Sequence, residues 1–306
     1  MKKLTSIFAI LVFLGAMISS CSLLDDEFND ELALNELMSG YDLWYVDIHN
    51  TNGNGSVPFI EKAFTLSFYK GEMFANNNIV DIGRTGNGFG ISVGFYNTRF
   101  GVLEMNHDVD GAHNFEVYQV SENEIRLENR YYGVSYLLVG YQRNQFDYDK
   151  LFYENIEYFL QEYIAWEKEN TSSSGLVNPF DKENYLQFTP ENTTTFYASL
   201  DPFGTNIDVI NWNYTGAYQI FDVQDYEDLK ILTLNYENGD NEEFELSVVN
   251  DSTIRLFHIS SETIYEFEGK GFVQYLKSSN PKPNVRNSNR IRTKVKREVK
   301  NRRHLK

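Results

Sequence analysis

The chain repeats one passage of its own sequence 129 positions later, without a gap. Phe115 to Tyr141 reads FEVYQVSENEIRLENRYYGVSYLLVGY, and Phe244 to Lys270 reads FELSVVNDSTIRLFHISSETIYEFEGK. Phe115 falls on Phe244, Glu116 on Glu245, Ile125-Arg126-Leu127 on Ile254-Arg255-Leu256, Tyr136 on Tyr265 and Gly140 on Gly269. Val117 and Val120 meet Leu246 and Val249, so the apolar character is kept where the residue is not. Each copy alternates apolar and polar residues, breaks at a polar turn (Ser121-Glu122-Asn123, Asn250-Asp251-Ser252), and alternates again. A period of two on both sides of a tight turn describes half-buried antiparallel strands. Two such units describe a duplicated all-β protein.

The repeat continues upstream. Residues 29–38 read as a short helix ending at Gly40, and 148–165 as a longer one with Phe152, Ile156, Phe159, Leu160 and Tyr163 on one face. Each helix runs into Tyr-x-x-Trp: Tyr41-Asp42-Leu43-Trp44, then Tyr163-Ile164-Ala165-Trp166. Leu66-Ser67-Phe68 and Leu186-Gln187-Phe188 each head a hairpin. The offset is 122 at the tryptophans and 129 later, which places the extra residues of the second copy in the loop Leu200–Gly204. In the first unit the alternation predicts strands near 42–48, 63–69, 72–80, 89–97, 101–106, 114–120, 124–130 and 134–142. Eight short strands joined by tight turns suit an up-and-down barrel, which removes its sheet edges by closing.

A length of 306 residues accommodates two such domains, and a 42% hydrophobic, 15% aromatic composition is that of a globular chain. The net charge of −17 conceals a division. Residues 277–306 hold 12 of the 27 Lys and Arg and a single acid, Glu298, leaving 15 bases against 43 acids elsewhere. An acidic body argues against nucleic acid as a partner. The tail from Ser278, broken by Pro281 and Pro283 and lacking an apolar face, reads as disordered. Three roles are open to it: a salt-sensitive contact with an anionic envelope partner, folding back on its own acidic barrels, or solubilising the C-terminus.

The N-terminus has the three parts of a secretory signal. Lys2 and Lys3 precede the apolar run Ile7–Leu14, and Ile18-Ser19-Ser20 precede the one cysteine, Cys21. Small residues ahead of a lone Cys resemble the lipobox of bacterial lipoproteins. That resemblance implies cleavage just before Cys21 and its diacylation, palmitate among the chains, and so a lipid anchor. Ser22 fits outer-membrane sorting. Asp25-Asp26-Glu27 resembles a surface-export tag and equally describes a solvated tether. No other segment is apolar over ~20 residues.

The order helix, Tyr-x-x-Trp, Leu-x-Phe hairpin and late Ile-Arg-Leu strand resembles the lipocalin-like domains of bacterial lipoproteins, with Tyr-x-x-Trp in place of their usual Gly-x-Trp. The resemblance covers residues 37–142 and 159–276. It implies two tandem lipocalin-like up-and-down β-barrels, each preceded by a helix, with a disordered basic C-terminal tail. The chain then divides into a signal peptide (1–20), an acidic tether (21–28), a first barrel (29–147), a linker helix with a second barrel (148–277) and the tail (278–306).

Motifs that carry chemistry are few. Gly90-Ile91-Ser92-Val93-Gly94 matches a nucleophile elbow, but that elbow needs strand–turn–helix around Ser92, and the context reads as strand and turn. Asn106-His107-Asp108-Val109-Asp110-Gly111 begins like a calcium loop, yet Val117 stands where the bidentate Glu belongs. His107 and His113 flank one turn without an evident third ligand. Arg126 and Arg255, between apolar neighbours, point outward and are expected to pair with acids such as Glu116 and Glu245. Trp44, Trp166 and the aromatics of the late strands either line a ligand cup or fill the barrels. No cofactor, metal site or catalytic residue is expected, and the ligand-binding residues are unknown. The reading is an outer-membrane-anchored lipoprotein acting as a non-enzymatic binding or scaffold component of an envelope assembly. Its partners would be the membrane, through the lipid on Cys21, and an envelope protein. The alternatives are a carrier of one small apolar or glycan ligand in the barrel interiors and, last, a hydrolase using Ser92.

Overall fold

The structure, a computed structural model, describes residues 33–82, 89–189, 194–272 and 299–300. Cys21, the signal sequence, the acidic tether and nearly all of the segment 278–306 lie outside the described residues. Strands β1 (Leu43–Gly53), β2 (Thr65–Tyr69), β3 (Glu72–Asn76), β4 (Ile91–Arg99), β5 (Val102–His107), β6 (Gly111–Gln119), β7 (Glu124–Asn129) and β8 (Val134–Tyr141) pair in chain order. β1 pairs back with β8 and closes the barrel. Strands β9 (Tyr163–Thr171), β10 (Tyr185–Thr189), β11 (Thr195–Ser199), β12 (Tyr214–Val223), β13 (Tyr226–Tyr236), β14 (Asn241–Asn250), β15 (Thr253–His258) and β16 (Thr263–Phe272) repeat the arrangement, closed by β9 against β16. The protein is therefore all-β, with two closed, eight-stranded antiparallel up-and-down barrels in tandem.

The alternation that predicts the strands also fixes their register. In β7 and β15 the pairs Ile125, Leu127 and Ile254, Leu256 are buried, while Arg255 between them is exposed. Leu127 stands opposite Tyr136 and Leu256 opposite Tyr265; Phe115 stands opposite Leu103 and Phe244 opposite Leu232. All four pairs keep the offset of 129. A one-residue slip would turn these side chains to the outside, so the apolar face pins the register. Leu103, Phe115 and Tyr136 in the first barrel, and Leu232, Phe244 and Tyr265 in the second, are 0% exposed. Such a side chain borders no void wide enough for a water molecule, and both interiors are packed with side chains around these positions.

A corner is repeated at the end where each barrel's first strand begins. Trp44 and Trp166 are fully buried, and each indole N–H donates to the carbonyl six residues earlier, Met38 at 3.0 Å and Leu160 at 2.8 Å. Tyr41 meets Trp44 edge-on at 4.9 Å, and Tyr163 meets Trp166 at 4.8 Å. The two phenols reach across to the turn before β7 or β15, donating to the carbonyls of Glu122 and Asp251. These tryptophans tie a helix to a strand. They line no cup.

Two expectations need correction. The helix expected over 148–165 is two, Tyr148–Glu154 and Ile156–Gln161, interrupted at Asn155, whose side chain donates to the Leu151 carbonyl at 2.8 Å. Tyr163 already belongs to β9; it is buried in either conformation, so an apolar-face pattern runs on through the change. The extra residues of the second copy are also not at Leu200–Gly204. Gly94 and Gly216, 122 apart, are equivalent, because a Cβ on either would stand 2.0 Å from the carbonyl of Asn106 or Asn235 on the next strand. Those asparagines are already 129 apart. The seven added residues therefore lengthen the β12–β13 hairpin, where Asp222 pairs across to Lys230 with its carboxylate 2.6 Å from the ammonium. Val299–Lys300 form a short strand, β17, parallel to Asp222–Val223.

The described chain resolves into two compact units. One holds most of the first barrel; the other holds the chain from Arg143 together with Ile60–Thr65 and Asn76–Gly90. Within the latter, Glu162 is fully buried and its carboxylate accepts from the amides of Ile79 and Val80 at 2.9 Å.

Candidate functional site

A cluster of buried polar groups lies at one end of the second barrel, where β9, β11, β13 and β15 finish. The loop after β9 carries a three-ten turn, Pro179–Lys182, which puts Phe180 (0% exposed) against Phe244 and Tyr265, with ring centroids 4.7 and 5.0 Å away. Proline fixes the first position of the turn, and the Asp181 carboxylate accepts from the Asn178 amide at 2.9 Å. The first barrel has its counterpart in Pro58–Lys62, where Phe59 stacks on His107 at 4.8 Å.

Around this plug the strands deliver charge. Lys168 of β9 is almost fully buried, and its ammonium donates to the Asp181 carbonyl at 2.7 Å while lying 5.3 Å from the Tyr265 ring. Burial lowers its pKa to about 8 against the pull of Asp181 and Glu183. Burial likewise raises Glu183 to about 7, against the hydrogen bond it accepts from the Tyr236 hydroxyl at 2.8 Å and with the help of nearby Glu242. Burial and the hydrogen bond it donates to Asp181 at 2.6 Å push the Tyr265 hydroxyl up to about 12. Burial thus shifts the Lys168 ammonium down and the Glu183 carboxyl up, each toward its neutral form.

Beside them runs a chain of hydrogen bonds. His258 Nε2 lies 2.6 Å from Glu242 Oε2, its Nδ1 lies 2.7 Å from Ser261 Oγ, and Ser261 Oγ donates to Thr263 Oγ1 at 2.9 Å. The order acid–imidazole–hydroxyl is that of a hydrolytic triad. Here, however, Ser261 is buried, and its oxygen also receives the Asn178 side-chain amide at 3.0 Å. The chain orders the β15–β16 turn.

Two loops frame this end. Leu176 donates its amide to the Ser261 carbonyl at 2.8 Å. Gly175 (φ +114) lies against Thr263, whose Oγ1 would be 2.3 Å from a Cβ. Residues 200–213 are pinned by Gly204 N to Glu167 Oε1 at 2.6 Å, Thr205 N to the Tyr185 hydroxyl at 2.9 Å and Asn211 N to Asp201 Oδ2 at 2.7 Å. Held this way, the loops present Leu176, Val177, Phe203 and Val209 to solvent at 72, 96, 62 and 69% exposure.

The residues singled out in the sequence go elsewhere. Ser92 is exposed near the start of β4, opposite Phe74, and strand follows it where a nucleophile elbow needs a helix. The Asn106–Gly111 turn is closed by its own groups: His107 Nδ1 accepts from Val109 N at 3.3 Å and Asp110 N at 3.0 Å, and His113 Nε2 lies 3.2 Å from the Asp110 carbonyl. Among the described residues no three His, Cys, Asp or Glu side chains converge as metal ligands do. Of the two outward arginines, Arg255 takes an acid, though not Glu245, and Arg126 takes none among the contacts described. Arg255 pairs with Glu266 at 2.7 Å, and Arg126 donates to the Asn50 carbonyl and Ser135 Oγ at 3.3 Å. Glu116 pairs with Arg130. The polar cluster has one signal in the sequence, the Pro-Phe of Pro58-Phe59 repeated at Pro179-Phe180. No family model matches the chain, and no curated protein matches it.

Proposed function

We propose that the protein is an outer-membrane-anchored lipoprotein, held by acylated Cys21, and a non-enzymatic binding or scaffold component of a cell-envelope assembly. The observation that carries the binding role is the packing of both barrel interiors. Leu103, Phe115 and Tyr136 in one barrel, and Leu232, Phe244 and Tyr265 in the other, are 0% exposed and fill the interior around them, which favours an outer binding surface over a carrier. Recognition then falls to the outside, and the hydrogen-bonded loops that expose Leu176, Val177, Phe203 and Val209 are the part best suited to it. The anchor rests on the basic start, apolar run and Ser19-Ser20-Cys21 of the sequence.

Native capture from detergent-solubilised membranes, with mass spectrometry of proteins and small molecules, tests the binding role. A stoichiometric protein partner that is lost when Val177 and Phe203 are replaced by Ser is expected. A stoichiometric small molecule released on unfolding would replace the scaffold reading with the carrier. Cys21→Ser tests the anchor, since two acyl chains hold a protein stably and no described helix is long and apolar enough to cross a membrane. The variant is expected in the soluble fraction after a salt wash.

A further inference from the structure

The step in offset from 122 to 129 falls within the β12–β13 hairpin, and it changes the hairpin's character. The far end of that hairpin carries Asp222, Asp225, Glu227 and Asp228 against one base, Lys230, which is committed to Asp222. Asp225, Glu227 and Asp228 are exposed. On its other edge β12 pairs with β11 only over Tyr214–Ala217. Beyond that, Asp222 and Val223 take a parallel partner, Val299–Lys300, from the most basic segment of the chain. Reach is no obstacle. β16 runs in the same direction as β12, so it delivers Phe272 to the end of the barrel at which the hairpin extends, and the 26 residues between Phe272 and Val299 span up to ~85 Å.

We infer that the lengthened hairpin is a strand-acceptor surface, and that its occupant is the chain's own basic C-terminal segment, docked in cis. Recognition has two parts. Backbone groups of β12 beyond the barrel's closure pair with the added strand, as in β-strand addition generally, and the acids of the hairpin tip attract the bases on either side of Val299. The acids make the contact sensitive to salt and competitive with other polyanions. The first barrel, with a hairpin seven residues shorter, has no such surface.

The test uses the Cys21→Ser chain, complete and truncated after Lys277, with a fluorescent peptide of residues 291–306. The peptide is expected to bind the truncated protein at low salt and to bind the complete chain about tenfold more weakly, because the site there is filled. Binding to the truncated protein is expected to fall about tenfold when Asp225 and Asp228 are replaced by Lys, and at high salt. A Val299→Pro peptide keeps the charge but disrupts strand pairing, and it is also expected to bind more weakly. Equal binding to the complete and truncated chains, or full binding by the Val299→Pro peptide, would overturn the proposal. So would a complete chain that sediments as a dimer and becomes monomeric on truncation, since the tail would then dock on a second copy.

Discussion

The ring of Tyr163 occupies the space beside Gly269, where its atoms would lie 2.5 Å from any Cβ added there. Tyr41 stands against Gly140 in the same way, at 2.6 Å, and the amides of the two glycines donate to the equivalent carbonyls of Ser252 and Asn123. Gly140 in β8 and Gly269 in β16 are therefore required by a packed aromatic ring, not by a turn.

Gly269→Ala and Gly140→Ala should each destabilise their barrel by about 1–3 kcal/mol, the usual result of forcing a methyl group into a packed site. Urea denaturation of the single variants measures this. No loss at either position would mean that the tyrosine swings clear.

Phe115 and Phe244 occupy the same place in the two copies, both fully buried and opposite Leu103 and Leu232. Phe→Ala at either should cost about 3–5 kcal/mol. Circular dichroism melts of each variant, compared with each other, report whether the duplicated position carries the same weight in both barrels.

Glu183 supplies a pH dependence with a definite sign. In the folded chain it holds its proton up to about pH 7, whereas unfolded it would release it near 4.5. The folded state binds more protons across that interval, so this group's contribution weakens as pH rises through it. Glu183→Gln should therefore leave stability near pH 4.5 little changed and raise it at pH 8 by about 3 kcal/mol, judged from denaturation midpoints at the two pH values. A variant less stable than the parent at pH 8 would assign Glu183 a favourable ionic role instead.

Glu262 adopts φ +59 in the β15–β16 turn, where the first barrel has Gly133 at φ +63. A left-handed conformation costs an L-residue about 1–2 kcal/mol, and glycine avoids it at some expense in chain entropy. Glu262→Gly is expected to stabilise the second barrel by up to about 1 kcal/mol in the same denaturation assay.

What the sequence discloses and what it hides follow from the range of each interaction. Strands β5 to β8 are readable because alternation and a gapless offset act over a few residues, and Phe115, Ile125 and Tyr136 repeat that signal 129 residues later. The helix break at Asn155 is hidden because Tyr163 is buried whether it ends a helix or begins a strand. The hairpin insertion is misassigned because an offset between two landmarks, Trp166 and Phe244, does not say where between them the chain has grown. The polar cluster is the least legible part. Lys168, Glu183, Tyr236, Glu242 and His258 are spread over some ninety residues and meet only because the barrel curls. No local spacing announces them.

The pairing of β1 with β8, and of β9 with β16, also governs the order of events when the chain is made. Each barrel is closed by the first and last strands of its own repeat, contacts of long sequence separation whose loop-closure entropy slows folding. As the polypeptide emerges from its N-terminus, the first barrel stays open until Tyr141 has appeared and then has every strand it needs, before any of β9 exists. The second waits for Phe272. The duplication thus splits one long vectorial folding problem into two shorter ones solved in turn, and no strand of either has to be held in reserve for the other.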